Sequence, residues 1–161
     1  MSKNHWETQP RKKNGEFTFR LGQGVFRRIL DEVARKLVEE ASMLKDKGGS
    51  YGYLRKFVAG DKNYEIHHMP AASCSSLSRW RGPCIIMTKE NHKQTSSYGN
   101  SKSAKRYRLM QAKLISEGKF LESEYMDIKN IRRKFGRKYD SAINKKLDYE
   151  EELEKKGRIY G

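Results

Sequence analysis

The stretch from Tyr64 to His92 constrains this chain more than any other, because it holds three of its four histidines and its hydrophobic pattern changes twice within it. Tyr64-Glu65-Ile66-His67-His68-Met69-Pro70 alternates polar and apolar residues up to a proline that cannot continue a ladder, the mark of a short strand. Cys84-Ile85-Ile86-Met87 is an apolar run ending at Thr88, a residue suited to cap a helix that begins Lys89-Glu90-Asn91-His92. The pattern predicts strand, loop, strand, helix. A helix laid across such a hairpin brings His67 and His68, at a strand end, towards His92 in its first turns, so that three imidazoles converge.

Neutral imidazole is both a ligand for divalent metals and a base whose pKa of about 6.5 lies near neutral pH. One histidine could therefore activate water while two hold a cation. Adjacent strand residues point to opposite faces, which predicts different jobs for His67 and His68.

Charge narrows the partner. The 161 residues carry 35 Lys and Arg against 20 Asp and Glu, a net charge of +15, and such a field attracts polyanions rather than neutral substrates. Lys102, Lys105 and Arg106 follow the histidine stretch, and Lys129, Arg132, Arg133, Lys134, Arg137 and Lys138 form a run without an acidic residue. Lys129, Arg132 and Arg133 are spaced to share a helical face, as phosphate positioning requires. Arg79 and Arg81 flank Trp80 in a serine-rich loop. They could meet phosphates while Trp80 stacks on a base, or Trp80 could plug the core beside the hairpin; the second is the expected placement.

A chain of this length forms one domain, or one with an appendage. The expected organisation is a flexible basic tail over residues 1–15, an N-terminal helical region over 16–63 and the histidine-bearing module with C-terminal helices over 64–161. Glu16 to Arg20 alternates as a short strand. Val25 to Leu44 carries apolar residues at three- and four-residue steps, a helix with one apolar stripe that is structural or docks to the rest of a larger protein. Tyr51, Tyr53 and Phe57 could form a strand or pack beneath that helix. Three helical stripes follow Asn100: Ala104, Tyr107, Met110, Leu114 and Ile115; Leu121, Tyr125, Ile128, Ile131 and Phe135; and Tyr139, Ile143, Leu147 and Leu153. Glu150, Glu151, Glu152 and Glu154 read as a solvated helix face. The fold class expected is α+β, mostly helical around a small hairpin.

No run of about 18 apolar residues is present, so no membrane segment is expected, and no signal peptide is recognised at the N-terminus. Cys74 and Cys84 flank the loop between the two strands and could form a disulfide or remain two thiols, with Cys84 buried. Their spacing is not a recurrent zinc-ligand pattern.

The histidine stretch resembles the ββα-metal fold of HNH (His-Me finger) nucleases, in the double-histidine form found among bacterial polymorphic toxins. Gly82-Pro83-Cys84-Ile85-Ile86-Met87, His92-Lys93-Gln94-Thr95-Ser96-Ser97, Met126-Asp127-Ile128-Lys129-Asn130-Ile131-Arg132 and Phe135-Gly136-Arg137-Lys138-Tyr139-Asp140-Ser141-Ala142-Ile143 are similar to C-terminal toxin modules of secreted proteins. The likeness covers Tyr64 to Tyr149. It implies a metal-dependent endonuclease acting on DNA, with RNA also open, in which His67 and His92 hold one divalent ion (Mg2+, Zn2+, Mn2+ or Ni2+) and His68 is the general base. Asn91 would orient His68 or complete the metal shell. The usual pattern places an asparagine between the double histidine and the last ligand, and Ala71 to Lys89 contains none. The resemblance further implies an effector, the C-terminal part of a larger secreted protein, delivered to a target-cell cytoplasm and matched by an acidic immunity protein.

Overall fold

The computed structural model describes residues 23–159, which are mostly helical around a small antiparallel sheet, an α+β fold. In chain order the elements are α1 (Gln23–Lys45), β1 (Gly48–Ser50), α2 (Tyr51–Val58), β2 (Tyr64–His68), β3 (Pro83–Thr88), α3 (Lys89–Gln94), α4 (Lys102–Ser116), α5 (Phe120–Phe135) and α6 (Asp140–Lys155). The expected basic tail over 1–15 and strand at Glu16 to Arg20 lie outside the described residues. Among those described, no helix is long and apolar enough to cross a membrane.

The sheet has the order β1-β3-β2, with β3 in the centre and both neighbours antiparallel to it. Side chains alternate across a strand, and β3 is apolar on both faces because both are covered. Cys84 and Ile86 pack with Leu54 of α2 on one side, and Ile85 and Met87 pack with Met69, Ile131, Tyr139, Ala142 and Ile143 on the other. Fully burying an Ile or Met side chain contributes roughly 1.5–3 kcal/mol, so this six-residue strand anchors both clusters. β2 pairs His67 with Ile85 and His68 with Cys84. On the other edge, a side chain on Gly48 would lie 1.9 Å from the carbonyl oxygen of Ala142, so only glycine lets β1 approach α6 this closely.

Tyr51, Tyr53 and Phe57, which could form a strand or pack beneath the first helix, lie on a helix of their own, α2. Ser50 caps it by accepting the Tyr53 amide, and Leu54 is its buried anchor. Cys74 and Cys84 are both free thiols, Cys84 buried against the sheet and Cys74 donating to the Arg108 carbonyl.

The C-terminal helices depart from the expected stripes. Leu121 and Tyr125 of α5 are exposed, as is Met110 of α4, while α5 buries Phe120, Ser123, Glu124, Asp127, Asn130 and Ile131. The inner face is polar and its groups pair with one another, while the side-chain oxygens of Ser123 and Gln111 and one carboxylate oxygen each of Glu124 and Glu150 have no hydrogen-bond partner. Lys146 of α6, fully buried, donates to Glu124 and to Glu150, the latter at 2.8 Å. Gln111 and Tyr107 of α4 donate to Asp127 at 2.7 and 3.0 Å. Glu150 thus leaves the solvated acidic face expected of it, whereas Glu151, Glu152 and Glu154 remain exposed.

The chain divides into two compact units at Glu40 and Ala41, within α1. In the first, the apolar stripe Ile29, Leu30, Val33, Leu37 and Val38 is half or more exposed. The second begins at Ala41 and includes β1 and α2 together with the hairpin and α3, so residues 41–63 fold with the histidine-bearing element.

Candidate active site

Strand alternation sorts the site. Glu65 and His67 lie on one face of β2, and Tyr64, Ile66 and His68 on the other. α3 starts directly from β3, with the Thr88 hydroxyl accepting the Asn91 amide, and this start sets His92 beside the first face. The His67 and His92 rings stand 4.9 Å apart, centre to centre. The His92 Nδ1 is 2.7 Å from Glu65 Oε2; a carboxylate accepts, so Nδ1 carries a proton and Nε2 is the nitrogen that the neutral ring would offer to a ligand. His67 is buried, and its Nε2 has no hydrogen-bond partner. Burial, reinforced by His92, His68 and Lys146, holds the His67 pKa well below the usual value, so the ring is neutral and Nε2 offers a lone pair in the tautomer protonated at Nδ1.

His68 has different surroundings. Its ring stacks on Tyr51 with centroids 5.1 Å apart, and its Nε2 donates to the Arg79 carbonyl at 3.1 Å. A carbonyl has no proton to give, so Nδ1 is the unprotonated nitrogen. Desolvation lowers the His68 pKa, which the Arg79 carbonyl bond partly opposes and the Arg79 and His92 charges extend. A Cβ on Gly82 would lie 2.7 Å from His68 Cδ2, so glycine at this position is what gives the ring its seat.

The two faces meet at the strand end. His67, His68 and His92 line one cleft of about 330 Å³, with Arg79 and Tyr98 on its wall. Asn91 is not directed at this cleft's histidines: its amide donates to the Tyr139 hydroxyl at 2.8 Å, and the same hydroxyl accepts the Thr88 amide at 3.4 Å. Asn91 therefore fastens the start of α3 to the core, with a buried partner that no local pattern announces. Glu65 was not singled out from the sequence, although its position two residues before His67 on an alternating strand put it on the same face.

The expected phosphate-binding cations divide. Arg79 lies over the Tyr51 ring and lines the cleft; Arg81, Lys102, Lys105 and Arg106 are exposed. Lys129 and Arg133, one turn apart, line a second cleft of about 290 Å³ with Ser96 and Asn130. Asn130 is bonded to the Ser96 amide and hydroxyl, tying this cleft to the segment that leaves α3. Arg132 does not join them. Its Nε donates to Asp140 at 2.9 Å, because Asp140 opens α6 beside the end of α5 and Arg137 converges on it as well. Trp80, expected in the core, is 55 % exposed.

No group of three or more His, Cys, Asp or Glu is arranged to hold a metal among the described residues. Two imidazoles here could serve as donors to a cation: His67, whose Nε2 is buried without a hydrogen-bond partner, and His92, whose Nδ1 is bonded to Glu65 as carboxylates bond imidazoles that ligate metals. No family model, no curated protein and no solved structure matches the chain.

Proposed function

We propose that this protein is a metal-dependent endonuclease of the HNH type that hydrolyses DNA phosphodiesters, the toxic effector domain of a bacterial competition system. The observation that carries this reading is the meeting in one cleft of His67, with its unpartnered Nε2, of His92, with Nδ1 bonded to Glu65, and of His68, whose Nε2 donates to the Arg79 carbonyl and leaves Nδ1 unprotonated in the neutral ring. The net charge of +15 supplies the attraction to a polyanion. The same charge is why the producing cell needs protection, and an acidic immunity protein covering the substrate face is the partner it implies. Delivery to a target-cell cytoplasm, as part of a larger secreted protein, belongs to this reading.

In the mechanism, His68 Nδ1 takes a proton from water, the water oxygen bonds to phosphorus, and the P–O3′ bond breaks with the 3′ oxygen protonated from solvent. His67 and His92 would hold one divalent cation, which supplies Lewis-acid stabilisation of the phosphate charge when bound. Glu65 keeps His92 in the tautomer that offers Nε2. Arg79, on the wall of the cleft, is placed to hold a non-bridging phosphate oxygen.

Cleavage of plasmid DNA and of RNA, each with added divalent ion and with chelator, tests the reading. DNA nicking that chelator abolishes is the expected result; cleavage indifferent to chelator, or none with any ion, would sink it. His92→Ala should weaken binding of the divalent ion about tenfold or more, since even outer partners of metal ligands carry that much. Calorimetric titration measures this, and unchanged affinity removes His92 from the ligand set.

Lys129→Ala with Arg133→Ala should weaken binding to all DNA sequences alike and lower the slope of log affinity against log salt by about two, nearly one per phosphate contact. Arg132→Ala should change that slope less, because Asp140 already neutralises it. Equal slopes for Arg132→Ala and for either single variant would show that the Asp140 pair does not withdraw Arg132 from DNA.

A further inference from the structure

A cleft of about 590 Å³ on the second unit carries a feature that phosphodiester hydrolysis does not require. Tyr51, Arg55, Arg79 and Trp80 line it together with Glu65 and His92. Trp80 leaves more than half its surface in solvent, which a ring recruited for packing does not do. It is nonetheless held. Its carbonyl accepts the Gly52 amide at 3.0 Å, and the Ser78 carbonyl closes the loop by accepting the amides of Arg81 and Gly82 at 2.9 and 3.0 Å. A Cβ on Gly52 would lie 3.0 Å from the indole ring, so the ring is seated directly on the α2 backbone.

Arg55, one turn beyond Gly52, places its guanidinium 5.3 Å from the ring centre. Gly52 and Arg55 share one stripe of α2 and both meet the indole, which also lines the cleft and stays more than half exposed. Arg79 lies 5.0 Å from the Tyr51 ring centre, and Tyr51 meets Trp80 edge to face at 5.7 Å. A flat apolar ring sharing a cleft with two exposed guanidinium groups, Arg55 over the ring itself and Arg79 over the neighbouring Tyr51, is the chemistry of a nucleotide: a base to stack and phosphates to hold.

We propose that Trp80 is a stacking platform for an unpaired nucleobase, with Arg55 and Arg79 holding the phosphates that flank it, so that the strand entering the site is single-stranded or locally opened. This rests on the nuclease reading for its purpose but not for its test. In a duplex both faces of each base are covered by neighbours, and a ring fixed to rigid backbone has no face to reach. Base–aromatic stacking tolerates any base, so the platform selects strandedness rather than sequence.

The test uses the full chain carrying Trp6→Phe, which leaves Trp80 as its one indole, in chelator so that oligonucleotides stay intact, as a gel confirms. Mixed-sequence single-stranded DNA, single-stranded RNA and blunt duplex DNA are titrated against indole fluorescence. Either single strand should quench Trp80, and duplex should not. Read by the anisotropy of end-labelled oligonucleotides, Trp80→Leu should weaken single-strand binding by about 5- to 150-fold and duplex binding hardly at all, whereas Trp80→Phe, which keeps an aromatic face, should retain most of the affinity. Unchanged fluorescence with every oligonucleotide, as expected if the ring serves a protein partner, overturns the proposal. So does an equal loss on single strand and duplex, or Leu and Phe variants that behave alike. Metal-dependent cleavage with no Trp80 preference for single strands removes the platform and leaves the nuclease; quenching without cleavage keeps the platform and removes the nuclease.

Discussion

His68→Ala should reduce cleavage by roughly 10²–10⁴-fold while leaving divalent-ion affinity and DNA affinity near those of the unaltered protein. The separation follows from strand geometry: His68 lies on the opposite face of β2 from His67, and neither His67 nor His92 bonds to it. The pH profile should carry the same signature. A base must be neutral to accept a proton, and burial lowers the His68 pKa, so activity should persist below pH 6.5 and fall only as acid reaches the depressed value. Cleavage of plasmid by His68→Ala at the unaltered rate would mean that His68 is not the base. An acid limb above 6.5 would mean that its surroundings favour the charged ring, contrary to the packing against Tyr51.

Lys146→Met should cost about 3–5 kcal/mol, a large share of the roughly 5–15 kcal/mol that stabilises a typical domain. Lys146 is fully buried with Glu124 and Glu150, and each of these carboxylates already has one oxygen without a hydrogen-bond partner. Removing the ammonium leaves two buried carboxyl groups with no cation. The loss should depend on pH. Burial raises the Glu150 carboxyl to about 8, against the pull of Lys146. A carboxyl whose folded value lies above its unfolded one favours the fold when protonated; that contribution is complete below about 4.5 and is lost as pH rises through about 8. Asp127, pushed up to about 7 by burial, acts in the same direction. The intact protein should therefore be more resistant to urea at pH 5 than at pH 8, and Lys146→Met should widen that difference. A loss below about 1 kcal/mol at pH 8 would indicate ions that are hydrated rather than buried.

The two results bear on one another through α6. Its Ala142 and Ile143 pack beneath β3 and its start receives Tyr139, whose hydroxyl fixes Thr88 and Asn91 and hence the helix that carries His92. Lys146 is also among the charges that keep His67 neutral, after burial, His92 and His68. Stability of the polar interior and readiness of the imidazoles thus share a scaffold.

The order strand, loop, strand, helix from Tyr64 to Gln94 was legible from the residues, because alternation, a proline stop, an apolar run and a capping threonine are local signals acting through the backbone. The helical pattern before Leu44 and after Asn100 was legible for the same reason. Opposite faces for His67 and His68 followed from the two-residue period alone. Which helix faces turn inward did not. Leu121 and Tyr125 sit at core spacing yet face solvent, because Glu124, Asp127, Lys146 and Glu150 find partners only after α4, α5 and α6 come together, and a buried charge is tolerated only when paired. Arg132 left the basic face for Asp140, and Asn91 turned to Tyr139, through contacts 8 and 48 residues distant. Local spacing thus determined the long helices, the hairpin with its helix and the face of each histidine, but not β1 or α2, and only tertiary packing decided which polar groups were satisfied, since that depends on partners brought near by the fold and not by the chain.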